Sequence, residues 1–210
     1  MLLQYVGITS GRLAETLDFY RDFGLSFQIR EPNFGIMRVG SSRLRIQSVD
    51  DPAGEIFYHF AIDIPRNQIE NAAKWLSKKV ELLSRDGKTI IDFPDWNAKS
   101  VYFHDPSGNI VELVARRNLA NDQEGEFSPA MFLRISEIGW PVVDPKSPTV
   151  KFTLPTWCEY PGFRALGKET GMVLVVEEGR PWTPTGRPAA SAPIVLSVED
   201  KKTTKYFSCR

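Results

Sequence analysis

Three stretches of this chain open in the same way, and that repetition limits the fold more than any single motif does. The first is Tyr5-Val6-Gly7-Ile8-Thr9, where Val6 and Ile8 alternate with their neighbours as on a strand with one buried face. Leu13, Thr16, Leu17 and Tyr20 then recur at helical spacing over residues 12–23, and Gly24 marks the helix end. Strand candidates follow at Leu25–Arg30, Phe34–Val39 and Leu44–Val49. The second opening is Phe57-Tyr58-His59-Phe60-Ala61-Ile62-Asp63-Ile64, with Tyr58, Phe60, Ile62 and Ile64 on one face and His59, Ala61 and Asp63 on the other. Pro65 suits a first helical position, and Ile69, Ala72, Ala73 and Leu76 form the helical stripe. Strands are again expected at Val80–Leu83, Val101–Phe103 and Ile110–Ala115.

Residues 1–117 therefore read as a βαβββ unit written twice. Neither unit can bury its sheet face alone, so the two are expected to pack together as one domain. Residues 118–130 are polar and unpatterned and read as a linker. The third opening, Glu137-Ile138-Gly139-Trp140-Pro141-Val142-Val143-Asp144, starts a degenerate module over 131–200. Its helix is lost, because Pro145, Pro148, Pro155 and Pro161 leave no room for three turns. Strands resume at Met172–Val176 and Ile194–Val198, with a Pro- and Gly-rich loop between, and 201–210 read as a solvated tail carrying Lys201, Lys202 and Lys205. The fold class is α+β: paired βαβββ modules forming a curved mixed sheet with a cleft, plus a third, degenerate module.

Composition narrows the function classes. Lys plus Arg and Asp plus Glu both number 26 in 210 residues, so the basic excess of a nucleic-acid binder is missing. No apolar run approaches the ~20 residues of a membrane helix, and the start shows no secretory pattern, so a cytoplasmic location is the expectation. Cys158 and Cys209 are far apart and form no metal or redox motif, and Cys158 reads as a structural or incidental thiol rather than a nucleophile.

The most specific segment is Val101-Tyr102-Phe103-His104-Asp105-Pro106-Ser107-Gly108-Asn109-Ile110-Val111-Glu112-Leu113. Asp-Pro-Ser-Gly is turn chemistry, joining two strands as a tight hairpin. Followed by Asn-Ile-Val-Glu-Leu, it closely resembles the last hairpin of a domain of the vicinal-oxygen-chelate superfamily, which includes glyoxalases, extradiol dioxygenases and bleomycin-resistance proteins. Leu17-Asp18-Phe19-Tyr20-Arg21-Asp22-Phe23-Gly24-Leu25 resembles that family's first helix and its exit, and His59 resembles its metal-binding histidine. The resemblance covers residues 4–116 well and 134–200 weakly.

In that family the metal ligands come from the first and last strands of each module. The resemblance implies a divalent metal (iron, manganese, nickel or zinc) held by His59 and Glu112, with Gln47 as a weaker ligand. Tyr5 stands where a ligand is expected in the first module, and either Arg45 or Gln47 occupies the last-strand position there. Three readings of His59 and Glu112 stay open: a metal site, a metal-free polar pair in which Glu112 is a general base, or a mutually satisfied structural pair. Arg45 is expected beside Glu112, either binding an anionic substrate or forming a buried salt bridge. Tyr5, Arg45 and Trp96 are the substrate-binding candidates; Trp96 and Phe93 either wall the cleft or anchor the sheet rim.

The implied function is a glyoxalase- or dioxygenase-like reaction on a small molecule in a sheet-lined cleft. The alternative is a metal-free sequestering protein of the bleomycin-resistance kind. The third module lacks an intrachain partner on this reading. It is expected to pair with a second copy in a homodimer, or to fold back as a lid. Glu137 sits at its ligand position with no histidine in the same module.

Overall fold

The computed structural model describes residues 1–51, 53–147, 152–200 and 203–209. Pro148, Lys201 and Lys202 lie outside them. The first module comprises β1 (Leu2–Ser10), α1 (Leu13–Asp22), β2 (Phe27–Glu31), β3 (Phe34–Val39) and β4 (Ser42–Ser48). The second comprises β5 (His59–Ile64), α2 (Ile69–Leu76), β6 (Leu82–Leu83), β7 (Ile90–Phe93), β8 (Ala98–His104) and β9 (Ile110–Arg116). After it come β10 (Arg134–Val142), β11 (Thr156–Tyr160), β12 (Phe163–Lys168), β13 (Gly171–Glu177), β14 (Ile194–Asp200) and β15 (Thr203–Cys209).

These strands make two sheets, and the pairing between modules differs from the expected one. A six-stranded sheet runs β15-β14-β1-β4-β3-β2; a nine-stranded sheet runs β11-β12-β13-β10-β5-β9-β8-β6, with β7 also on β8. The first two modules thus do not share a sheet. The second is joined to the third through the antiparallel β5–β10 pair, and the first to the C-terminal hairpin through β1–β14. The third module is therefore not partnerless, and the premise for a homodimer built on it is gone. Residues 203–209, read as part of a tail, are the edge strand β15. The segment 118–130 is tied down: Arg66 pairs with Asp122, Gln68 Nε2 donates to the Gln123 carbonyl, and Phe127 is buried.

Alternation explains why both sheets share one core. Leu3, Val6, Ile8, Leu44 and Ile46 of one sheet, and Phe60, Ile62, Ile64, Phe103, Val111 and Leu113 of the other, point inward. The helical stripes Leu13–Thr16–Leu17–Tyr20 and Ile69–Ala72–Ala73–Leu76 are buried. Phe23 at the exit of α1 stacks on Phe103 and meets Trp75 of α2 edge-on. Pro65 does not open α2; it starts a preceding turn, with Gln68 N–H donating to its carbonyl. The proline-rich stretch after β10 carries no helix among its described residues, but β11 and β12 form where the sequence suggested no strand.

Candidate metal centre

The hairpin between β8 and β9 sets the register of the site. Asp105 is buried and accepts hydrogen bonds from Ser107 N–H, Asn109 N–H, Asn109 Nδ2 and the Tyr20 hydroxyl, at 2.8–3.0 Å. Asn109 Oδ1 in turn accepts from Tyr58 N–H at 2.8 Å. One turn thus locks α1, β5 and β9 together, so the residues that follow Asn109 and Tyr58 come out in fixed alignment.

That alignment is a row across the sheet. Tyr102 pairs with Glu112, Glu112 with Ala61, Ala61 with Glu137 and Glu137 with Met172. Paired residues share a face, so two glutamates flank one alanine. Ala61 is fully buried, and its single methyl leaves the room in which the carboxylates converge. The row depends on a β-bulge in β10. Ile135 pairs with Ile62 and the next pair is Glu137 with Ala61, so Ser136 is the extra residue. Without it Glu137 would point into the core; the bulge turns it into the cleft.

His59 lies one step along β5. Its Nδ1 is 3.1 Å from the Ile110 carbonyl, which fixes the tautomer with the proton on Nδ1 and the lone pair on Nε2. Nε2 is 3.5 Å from Glu112 Oε2 and 4.0 Å from Glu137 Oε2. Donor atoms of the three residues lie within 4.8 Å of one another, and all three are buried. An imidazole lone pair facing two carboxylate oxygens is an arrangement that a cation or a proton must complete.

The other carboxylate oxygens are engaged differently. Glu112 Oε1 accepts from the Ser100 hydroxyl at 2.5 Å. Glu137 Oε1 accepts from Nη2 of Arg116, whose Nε is 3.3 Å from Asp63 Oδ1. Arg134 Nε comes within 3.3 Å of Asp63 Oδ2 as an ion pair but is not aligned as a hydrogen bond. Three carboxylates thus face two guanidiniums, leaving one net negative charge when all are ionised. Burial, and secondly the Glu137 charge, push Glu112 up to about 8. Burial holds His59 below its ordinary value, and burial pushes Asp63 up to about 6 against the pull of Arg116. One proton on Glu112 neutralises the cluster, and a divalent cation can take its place.

Above the cluster is a cavity of about 190 Å³. Phe93, Trp96, Tyr102, Phe163 and Trp182 wall it, and Arg180 and Thr183 stand at its edge. The Trp182 and His59 ring centroids are 4.8 Å apart. Gly139 makes room for that tilted ring contact: a Cβ there would lie 2.8 Å from the Trp182 ring.

The structure brings His59, Glu112 and Trp96 to one cavity, with Phe93 beside Trp96 as a wall. It does not bring Tyr5, Arg45 or Gln47 there. These three lie in the six-stranded sheet, where Tyr5 pairs with Arg43, Gly7 with Arg45 and Thr9 with Gln47. Beside the pairs His59–Ile110, Ala61–Glu112 and Asp63–Val114, Tyr5 occupies the place of His59, and Arg45, not Gln47, that of Glu112. The register thus decides between Arg45 and Gln47, which the sequence left open, and it places all three residues in the other sheet. Arg45 covers the Phe34 ring at 4.6 Å rather than touching Glu112. His104 is exposed, with Nδ1 3.3 Å from the Asn109 carbonyl, outside the cavity. By the same register Leu174 is the third module's counterpart of Glu112, so the four equivalent positions hold three donors and one leucine.

Sequence reasoning missed Arg116, Asp63, Ser100 and Trp182. The alternation Ile110, Glu112, Val114, Arg116 along β9 carried a signal for Arg116; the loop around Trp182 carried none.

No family model and no curated relative matches the sequence. Solved structures do match. A dioxygenase-like protein from Bacillus subtilis aligns over 96% of this chain and 71% of its own, at 17% identity and a TM-score of 0.62. An integron cassette protein from a Halifax Harbour sewage metagenome aligns over 54% of this chain and 97% of its own, at 22% identity and a TM-score of 0.47. A glyoxalase/bleomycin resistance protein/dioxygenase from Nocardioides covers 60% and 90%, at 20% identity and a TM-score of 0.45.

Proposed function

We propose that this chain, which has the fold of the vicinal-oxygen-chelate proteins, is a metal-dependent enzyme. It acts on a small molecule bound in the cleft between its second and third modules. The observation that carries the reading is the Nε2 lone pair of His59 facing one carboxylate oxygen each of Glu112 and Glu137. The donor set fits a divalent metal: one imidazole and two carboxylates, with the fourth equivalent position apolar and a cavity above it. It is not the two-histidine, one-carboxylate set of iron dioxygenases, so a lyase or isomerase reaction is the better match. A metal bound there supplies Lewis-acid polarisation of paired substrate oxygens.

The chain's own groups divide the remaining work. Arg116 holds Glu137 Oε1 in an ion pair. Glu112 has neutral partners, Ser100 and the adjacent Tyr102, and is the carboxylate able to take up or release a proton. Phe93, Trp96, Phe163 and Trp182 hold a flat or apolar substrate and keep water out. A test is calorimetric titration of Mn(II) into protein stripped of metal. Binding of about one ion per chain, lost in Glu112→Ala, is expected; no binding of Mn(II), Ni(II), Zn(II) or Fe(II) overturns the reading.

A second reading, a metal-free protein that sequesters an aromatic ligand, is favoured by the aromatic walls alone. It requires ligand affinity to survive chelation.

A further inference from the structure

Arg116 is among the largest fully buried side chains of the described residues, with 1% of its side chain exposed. Burying a guanidinium costs several kcal/mol, and an ion pair in that position is on average no better for stability than apolar residues of the same volume. Its placement is specific. The Nε edge faces Asp63 Oδ1 and Nη2 faces Glu137 Oε1. One rigid fork therefore spans two carboxylates from β5 and β10, the strands that join the second and third modules. It reaches Glu137 and leaves Glu112, four residues earlier on its own strand, to the hydroxyl of Ser100.

We infer that Arg116 is a positioning residue for the metal centre: it occupies Glu137 Oε1, so that Oε2 alone is presented toward His59 Nε2. This rests on the metal-site reading. Two consequences follow from the geometry. Glu137 acts as a one-oxygen donor of fixed orientation, because its second oxygen is held from behind. The donor set, with two carboxylates, carries one internal counter-charge, so it meets a divalent cation as a net monoanion. Asp63 holds the other edge of the fork and has no donor atom in the cluster of His59, Glu112 and Glu137. Outer partners of this kind usually contribute 10- to 100-fold to metal affinity.

The test compares the full-length protein with Arg116→Met and Arg116→Lys. Mn(II) affinity is read from the free-ion paramagnetic resonance signal, and ligand geometry from the visible spectrum of the Co(II)-loaded protein. Folding is checked by circular dichroism. Arg116→Met is expected to weaken Mn(II) binding about 10- to 100-fold and to change the Co(II) bands. Arg116→Lys keeps the charge but cannot fork, and is expected to lose about tenfold. A folded Arg116→Met with wild-type affinity and spectrum overturns the inference. If that variant does not fold, a folded Arg116→Lys with unchanged affinity and bands overturns it equally. Failure of the wild type to bind any of these metals overturns the metal reading and this inference together, whereas wild-type binding with unaffected variants overturns this inference alone.

Discussion

His59 and Glu137 belong to different modules, yet His59 Nε2 lies 4.0 Å from Glu137 Oε2. The antiparallel pairing of β5 with β10 makes this contact, and the bulge at Ser136 aims it. The candidate site is thus a product of how the modules are paired, not of either module by itself.

The first prediction concerns Glu137. Glu137→Gln keeps the shape but removes the charge that balances Arg116, leaving a buried cation with Asp63 as its main partner. Breaking a buried ion pair from one side costs roughly 3–5 kcal/mol. Chemical denaturation of the metal-free protein should show a loss of that order, and Mn(II) affinity should fall at least about tenfold.

The second concerns pH. The folded chain holds the Glu112 proton up to about 8, against an ordinary value of 4.5. The unfolded chain binds fewer protons between those values, so this contribution is full below 4.5 and is lost as pH rises through 8. Asp63, raised to about 6, acts in the same direction at lower pH, and His59, lowered from 6.5, acts oppositely below that value. Between pH 6.5 and 8 Glu112 dominates. The metal-free protein should lose stability by up to about 1.4 kcal/mol per pH unit there. Glu112→Gln should flatten the slope. Saturating Mn(II) should abolish it, since metal displaces the proton and leaves Glu112 deprotonated in both folded and unfolded chains. An unchanged slope in Glu112→Gln would show that the group is not the source.

The third tests the space over Ala61. Leucine there enters the gap between the two glutamates. Overpacking costs about 1–3 kcal/mol, so Ala61→Leu should fold with a lower melting temperature. It should also bind no Mn(II). Undiminished metal binding in a folded Ala61→Leu would contradict convergence over this residue.

The fourth is a negative control drawn from the corrected positions. Gln47 pairs with Thr9 and Phe34 in the six-stranded sheet. Gln47→Ala should leave Mn(II) affinity within twofold of wild type, and a large loss would mean that the wrong cleft has been chosen.

The local architecture was legible from periodicity. The stripes of α1 and α2, the alternation of β5 and β9, and the Asp105–Gly108 turn all depend on residues close in sequence. His59, Glu112 and Trp96, which line one cavity, were singled out from local patterns of this kind. The partnership of modules was not legible. The openings at Tyr5, Phe57 and Glu137 look alike, and edge-to-edge pairing of β5 with β10 rather than β1 leaves no local mark. Tyr5, Arg45 and Gln47 were accordingly placed in the wrong cleft, and Glu137 was left without its histidine. Trp182 was missed because its loop has no periodicity, and Asp63 because its partners Arg116 and Arg134 lie on two other strands.

The central claim is that His59, Glu112 and Glu137 hold one divalent metal. The most direct measurement is elemental analysis by mass spectrometry of untagged protein purified without chelator, alongside Glu137→Ala. About one divalent metal per chain in the wild type, absent from the variant, is the predicted result. No metal in the wild type, and none taken up from added manganese, nickel, zinc or iron(II), would contradict it.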